Sequence, residues 1–182
     1  PVVVFIMVAV LVIILAVFAA WQERKRREAF QALAQRLGLR YTRRDTTIAK
    51  QYEFLDKLRR GKNRYALNIL DGLYQGHYVN AFDYHYETES SDGKGHSHTQ
   101  HHCFSFFILE QERVFPELRI YPESFLSRLG QALGYADIDF ESLEFSRAFV
   151  VRSRDRKFAY DICHARMMEY LLQHRDFSLE IE

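Results

Sequence analysis

The chain is poor in the residues that punctuate and staple small folds, with 3 Pro, 8 Gly and 2 Cys among 182 residues. Cys103 and Cys163 are too few and too far apart for a disulfide framework or a zinc site of paired Cys-x-x-Cys type, and a reducing compartment fits them. Catalytic templates are missing as well. The sequence has no Gly-x-Ser-x-Gly elbow, no phosphate-cradling glycine loop and no His-Glu-x-x-His. Cys103 adjoins His102, but neighbours on a strand point apart, so a Cys–His nucleophile pair is not supported. No catalytic residue and no resident cofactor are therefore assigned.

Charge of one sign is also lacking overall, since 25 Lys and Arg face 24 Asp and Glu. The balance hides an asymmetry. Residues 21–64 hold fourteen Lys and Arg against five Asp and Glu, so the rest of the chain is net acidic. The basic part does not combine with an aromatic surface in any later segment, which argues against nucleic acid as a partner. Its position points to anionic lipid headgroups, which attract such clusters by about 1 kcal/mol per well-placed cation.

What precedes the basic segment is a long apolar run. Val2 to Ala20 contains no polar side chain, and about 20 residues at 1.5 Å each give about 30 Å of helix, the thickness of a hydrocarbon core. A cleavable leader would have a basic stretch before a shorter apolar core; here Arg24, Lys25, Arg26 and Arg27 follow it instead. The positive-inside rule then predicts a single-pass protein with its N-terminus outside and its C-terminal part cytoplasmic. Trp21 is placed at the interface, and Trp21 with the four cations is the expected lipid contact. A chain opening on Pro1 rather than Met is expected to be a stretch of a longer one.

Downstream, Phe30, Leu33, Ala34 and Leu37 have the spacing of an amphipathic helix, with Gly38 placed to end it. Leu39 to Tyr41 reads as a short extended piece and Thr46 to Arg60 as a second helix burying Ile48, Tyr52, Leu55 and Leu58. The period then becomes two. Arg64 to Leu70 and His77 to Tyr86 form a hairpin candidate around Asp71-Gly72, with Tyr78, Asn80, Phe82, Tyr84 and Tyr86 opposite Val79, Ala81, Asp83 and His85. Glu87 to Gln100 reads as a polar loop, Cys103 to Glu110 and Leu118 to Tyr121 as strands, and Pro122 as the start of a helix ending at Gly134. Leu143 to Arg152 is a predicted strand, Phe158 to His174 a helix and Phe177 to Ile181 a last strand. The expected fold class is α+β, a transmembrane helix followed by a mainly antiparallel sheet flanked by helices. The expected division is an anchor at 1–21, a basic juxtamembrane helical region at 22–63 and one soluble domain at 64–182.

Two patterns carry a resemblance. The segment Asp137-Ile-Asp-Phe-Glu-Ser-Leu-Glu-Phe-Ser-Arg-Ala-Phe-Val-Val is followed by Asp155, Phe158-Ala-Tyr-Asp161 and Met167-Met-Glu-Tyr-Leu-Leu172; upstream lies Gly76-x-x-Val79-x-x-Phe82-Asp-Tyr-x-Tyr86. Together these resemble bacterial membrane-anchored proteins of unknown function. The resemblance implies one or two N-terminal spans before a domain with a strand-then-helix ending, in the bacterial inner membrane, and it carries over no catalytic residues.

Several constellations could carry chemistry. His96, His98, His101 and His102 form a histidine-rich stretch beside Cys103, with His85 on the preceding strand candidate. Imidazole suits zinc, copper or nickel, so a divalent transition metal is the one cofactor candidate. The bland reading is a solvated polar loop, and His101 and His102 would face opposite sides of a strand. Asp137, Asp139 and Glu141 alternate with Ile138 and Phe140, which is an exposed face over a buried one before it is a cation site. A regular strand would bury Arg147 between Phe145 and Phe149, making it a structural ion-pair candidate with Asp155, Asp161 or Glu169 as partner. Arg152, Arg154, Arg156 and Lys157 read as a solvated turn. The leading expectation is a membrane-tethered cytoplasmic interaction domain, an accessory or scaffold subunit working with an integral membrane partner or complex. The alternatives are a metal-binding or sensory domain using the histidine stretch, and an enzyme of unrecognised type.

Overall fold

A long apolar segment can satisfy its backbone only from within, and residues Val2–Leu37 form one uninterrupted 36-residue helix, α1. The structure is a computed structural model describing residues 2–91, 97–124 and 137–182. Its fold is α+β. The chain divides into two compact units, Pro1–Glu112 and Arg113–Glu182, each with its own sheet.

In the first unit α1 is long and apolar enough to cross a membrane; an 18-residue window has mean hydropathy 3.1 and none of it is buried. After the apolar half the helix acquires a stripe of Phe30, Leu33, Ala34 and Leu37 at i, i+3, i+4 and i+7, with Ala34 only 2% exposed. That stripe packs on β1 (Arg40–Asp45) and β2 (Lys62–Tyr74). The sheet runs β1-β2-β3-β4, antiparallel throughout, with β3 at His77–Ser91 and β4 at Ser97–Leu109. The basic segment 22–63 is not helical throughout, because β1 within it is a strand of this sheet. Leu39 lies against Gly72, where a Cβ would come within 3.2 Å of its side chain, so glycine lets the connection after α1 approach β2.

The period-two pattern of β3 places Phe82, Tyr84 and Tyr86 in the core of one face, with Phe104, Phe106 and Ile108 of β4 beside them. The predicted helix at 46–60 is instead two single turns, α2 (Ile48–Gln51) and α3 (Asp56–Arg59), with Leu55 extended between them. Ile48, Tyr52 and Leu58 still close the core, but side chains of the sheet replace a continuing helix as partners of the backbone. Tyr84 donates to the Leu58 carbonyl at 2.9 Å, and Arg64 donates to the Leu58 and Arg59 carbonyls. The hairpin turn is Gln75-Gly76 rather than Asp71-Gly72. Both residues have positive φ, 52° and 84°, as a two-residue turn matched to strand twist requires. Asp71 belongs to the ladder, where it accepts from Arg40 at 2.6 Å and from Tyr78 at 3.1 Å. Of the predicted loop at 87–100, residues 92–96 lie outside the described residues, and the flanks are strand: β3 runs on through polar residues to Ser91 and β4 begins at Ser97, paired residue by residue.

In the second unit β5 (Leu118–Pro122) lies between β6 (Phe149–Ser153) and β7 (Leu179–Ile181), all antiparallel. Leu118, Ile120, Phe145, Val151, Ala159 and Leu171 form its core, each 1% exposed or less. The predicted strand at 143–152 begins as a helix, α4 (Leu143–Ala148), whose N-cap Ser142 accepts from the Phe145 N–H at 3.3 Å. Phe145 and Phe149 are therefore one helical turn apart, stacked at 5.4 Å, and Arg147 is exposed on the other side. The ion-pair expectation for Arg147 loses its premise, which was a strand burying it. The helix predicted at 158–174 breaks at Cys163-His164 into α5 (Arg156–Ile162) and α6 (Ala165–Gln173), capped by Asp155 and by the His164 ring. The helix predicted from Pro122 to Gly134 lies, beyond Ser124, outside the described residues.

Candidate functional site

The face of β3 and β4 opposite the aromatic core carries the polar chemistry of the first unit. Strand pairing sets Asp83 beside Ser105, His85 beside Cys103 and Glu87 beside His101. Two clusters result, two residues apart along β3.

The first cluster ties α1 to the sheet. Arg26 grips Asp83 with both arms of its guanidinium, at 2.7 and 2.5 Å, and donates to Ser105 at 3.1 Å. Asn68 and Ser105 also donate to Asp83, at 3.1 and 2.8 Å, and Tyr41 donates to the Asn68 side-chain oxygen Oδ1. Half-burial alone would push the Asp83 carboxyl up, but the hydrogen bonds from Arg26, Asn68 and Ser105 outweigh it and hold the carboxyl below its ordinary range. The same pair raises the Arg26 guanidinium above its usual value. Of the cations expected at lipid, Arg26 is thus turned to the sheet. Arg24 pairs with Glu28 at 2.8 Å, the Lys25 ammonium lies 5.6 Å from the Trp21 ring centre, and Trp21 itself is 53% exposed beside Phe18.

The second cluster is His85, Glu87 and His101. His85 Nε2 is 3.2 Å from His101 Nδ1, which is 3.4 Å from Glu87 Oε1, and the three ligating atoms all lie within 4.8 Å of one another. The other Glu87 oxygen accepts from Asn63 at 2.6 Å. The His85 ring stacks on Tyr65 at 4.6 Å, and Arg44 covers Tyr65 in turn at 4.3 Å. His85 Nδ1 is buried and has no hydrogen-bond partner among the described residues.

Of the four histidines expected as metal ligands, only His101 enters this cluster. His102 faces the other side, where it stacks on Tyr86 and bonds Thr88 at 2.8 Å; His98, four residues before it on the same strand, falls on that side too, and His96 is outside the described residues. Glu87 and Asp83 were not singled out by sequence. The available signal was the i, i+2 pair His85-x-Glu87 facing His101-x-Cys103, which becomes a two-by-two block only once the strand register is known. Cys103 is exposed on the same face, whereas Cys163 is buried and its thiol is pushed up to about 12 by that burial, so it is inert.

In the second unit the carboxylate row keeps its alternation, Ile138 and Phe140 being buried and Asp139 and Glu141 exposed. Asp137 accepts from Arg152 at 2.7 Å, an internal use for both. The buried arginine of this unit is Arg119, which sequence reasoning did not single out. It is paired with Glu117 at 2.9 Å and with Glu182 at 2.7 Å. A shallow groove between Ser142, Glu144, Met168 and Leu172 is open to solvent.

Comparison of the chain with protein families, with curated proteins and with solved structures found no match to any of them.

Proposed function

We propose that the chain is a membrane-tethered, non-enzymatic interaction module, an accessory or scaffold subunit of a larger membrane complex in the bacterial plasma membrane. One observation carries the reading: α1 is a single helix whose apolar half is wholly exposed and whose polar half is clamped to the sheet by Arg26 and Asp83. Such a helix fixes the position of a domain at a lipid surface. Arg24 and Lys25 stay exposed next to Trp21, where anionic headgroups would add about 1 kcal/mol for each cation. The positive-inside rule then sets the N-terminus outside and the sheets in the cytoplasm. Support for a protein partner comes from β4, the outer strand of its sheet, which exposes Phe107 by 67% and Leu109 by 44% on one face.

The test has two parts. The protein should remain in the membrane pellet after alkaline carbonate extraction, and an external protease acting on intact spheroplasts should leave the sheet units uncut. Crosslinking in cells should then join it to an integral membrane protein. Release by carbonate, or a species that stays at monomer mass in mild detergent and crosslinks to nothing, would overturn the reading.

A further inference from the structure

We propose that His85, Glu87 and His101 form a binding site for a divalent transition metal of zinc type, independent of whatever protein partner the module has. Ligand distances of about 2.0–2.1 Å in a tetrahedral zinc site place neighbouring ligand atoms about 3.3–3.4 Å apart. The two shortest separations in the cluster, 3.2 Å between His85 Nε2 and His101 Nδ1 and 3.4 Å between His101 Nδ1 and Glu87 Oε1, match that edge.

Hydrogen bonding serves the arrangement only weakly, since one proton must be shared between two contacts. His101 Nδ1 faces both a carboxylate oxygen and an imidazole nitrogen, and it carries at most one proton. If that proton goes to Glu87, His85 can at best share it in a bifurcated bond. If His85 donates instead, Glu87 faces a lone pair. A cation in the centre satisfies all three atoms at once. Its surroundings are also those of a built site. Asn63 fixes Glu87 through the oxygen that does not face the cluster, as the outer partners of metal-ligating carboxylates do. Tyr65 fixes the plane of His85. Binding through Nε2 places the His85 ring proton on Nδ1, which is buried and has no acceptor among the described residues, so His85 is held by ring stacking and not by an outer hydrogen bond. The His101 side chain is 64% exposed, which leaves the fourth coordination position to water.

The experiment uses the full chain in mild detergent, purified without a histidine tag, stripped with chelator and titrated with Zn²⁺ or with Co²⁺. One equivalent should bind, and cobalt should show the intense visible absorption of a tetrahedral site. His101→Ala, at an exposed position, and the isosteric Glu87→Gln should each weaken zinc at least ~100-fold, more than the ~10–100-fold expected for the outer partner in Asn63→Gly; glycine keeps the left-handed backbone of Asn63. His98→Ala and His102→Ala, on the opposite face, should bind as the parent does. Circular dichroism on every variant confirms that the sheet is present. Absence of stoichiometric metal overturns the proposal, as does metal that survives in folded His101→Ala and Glu87→Gln proteins or is lost in the His98 and His102 variants.

Discussion

Each unit is stitched by an arginine, and the two arginines work in different surroundings. In the first unit Arg26 reaches from a helix to Asp83 in the middle of a fifteen-residue strand, and its side chain keeps 54% of its exposure. In the second, Arg119 belongs to β5, a five-residue strand buried at every position, and its side chain keeps 10%. Long strands let the first sheet keep one polar face, so its ion pair can serve as a fastener between elements. The short central strand of the second sheet has neighbours over both faces, so its arginine must be paired inside the fold. The same pair chemistry therefore carries different energies in the two places.

Arg119→Ala should break that comparison most strongly, costing about 3–5 kcal/mol because Glu117 and Glu182 lose their partner; urea titration followed by hydrogen exchange should show amide protection falling first in β5 to β7. Asp83→Ala should cost less, about 1–3 kcal/mol, and its signature is protection lost at residues 26–37 of α1 while β2 and β3 retain theirs. Acid sharpens the same point. Because the folded Asp83 carboxyl lies below its unfolded value of about 3.9, its contribution is complete above that value and fades as pH falls through the folded one. Urea midpoints measured from pH 6 downward should accordingly drop less in Asp83→Asn than in the parent. The N-cap change Ser142→Ala comes next, at about 1 kcal/mol. Arg147→Ala should lie within about 0.5 kcal/mol of the parent, as expected of an exposed side chain; a larger loss in denaturant titration would restore the buried reading of that residue.

The same contrast decides what could be read from the sequence. On β3, aromatics at every second position made the buried face legible, and the stripe from Phe30 to Leu37 made the sheet-bound half of α1 equally plain. Phe145 and Phe149 were ambiguous, since a separation of four fits both one helical turn and two steps of a strand; the Ser142 cap, not hydrophobic periodicity, is what separates the two. Asp71-Gly72 looked like a turn by composition, yet Asp71 is bound by Arg40 and Tyr78, partners that only the folded ladder supplies. The histidine cluster was half legible. His101 is 14 residues from Glu87 and 16 from His85 and meets them only through pairing of strand ends too polar to announce themselves, whereas His98 and His102, nearer to His101 in sequence, are turned away by the alternation of the strand.

The absence of any hinge between the apolar half of α1 and its sheet-bound half has a mechanical consequence. Sixteen helical rises separate Trp21 from Leu37, about 24 Å, so if the apolar half were embedded in lipid a tilt of about 10° there would swing the far end of the sheet-bound half by about 4 Å. In a bilayer the helix is then a lever. A change in membrane thickness would be delivered to the sheet as rigid displacement, through the stripe on β1 and β2 and through Arg26 on β3 and β4.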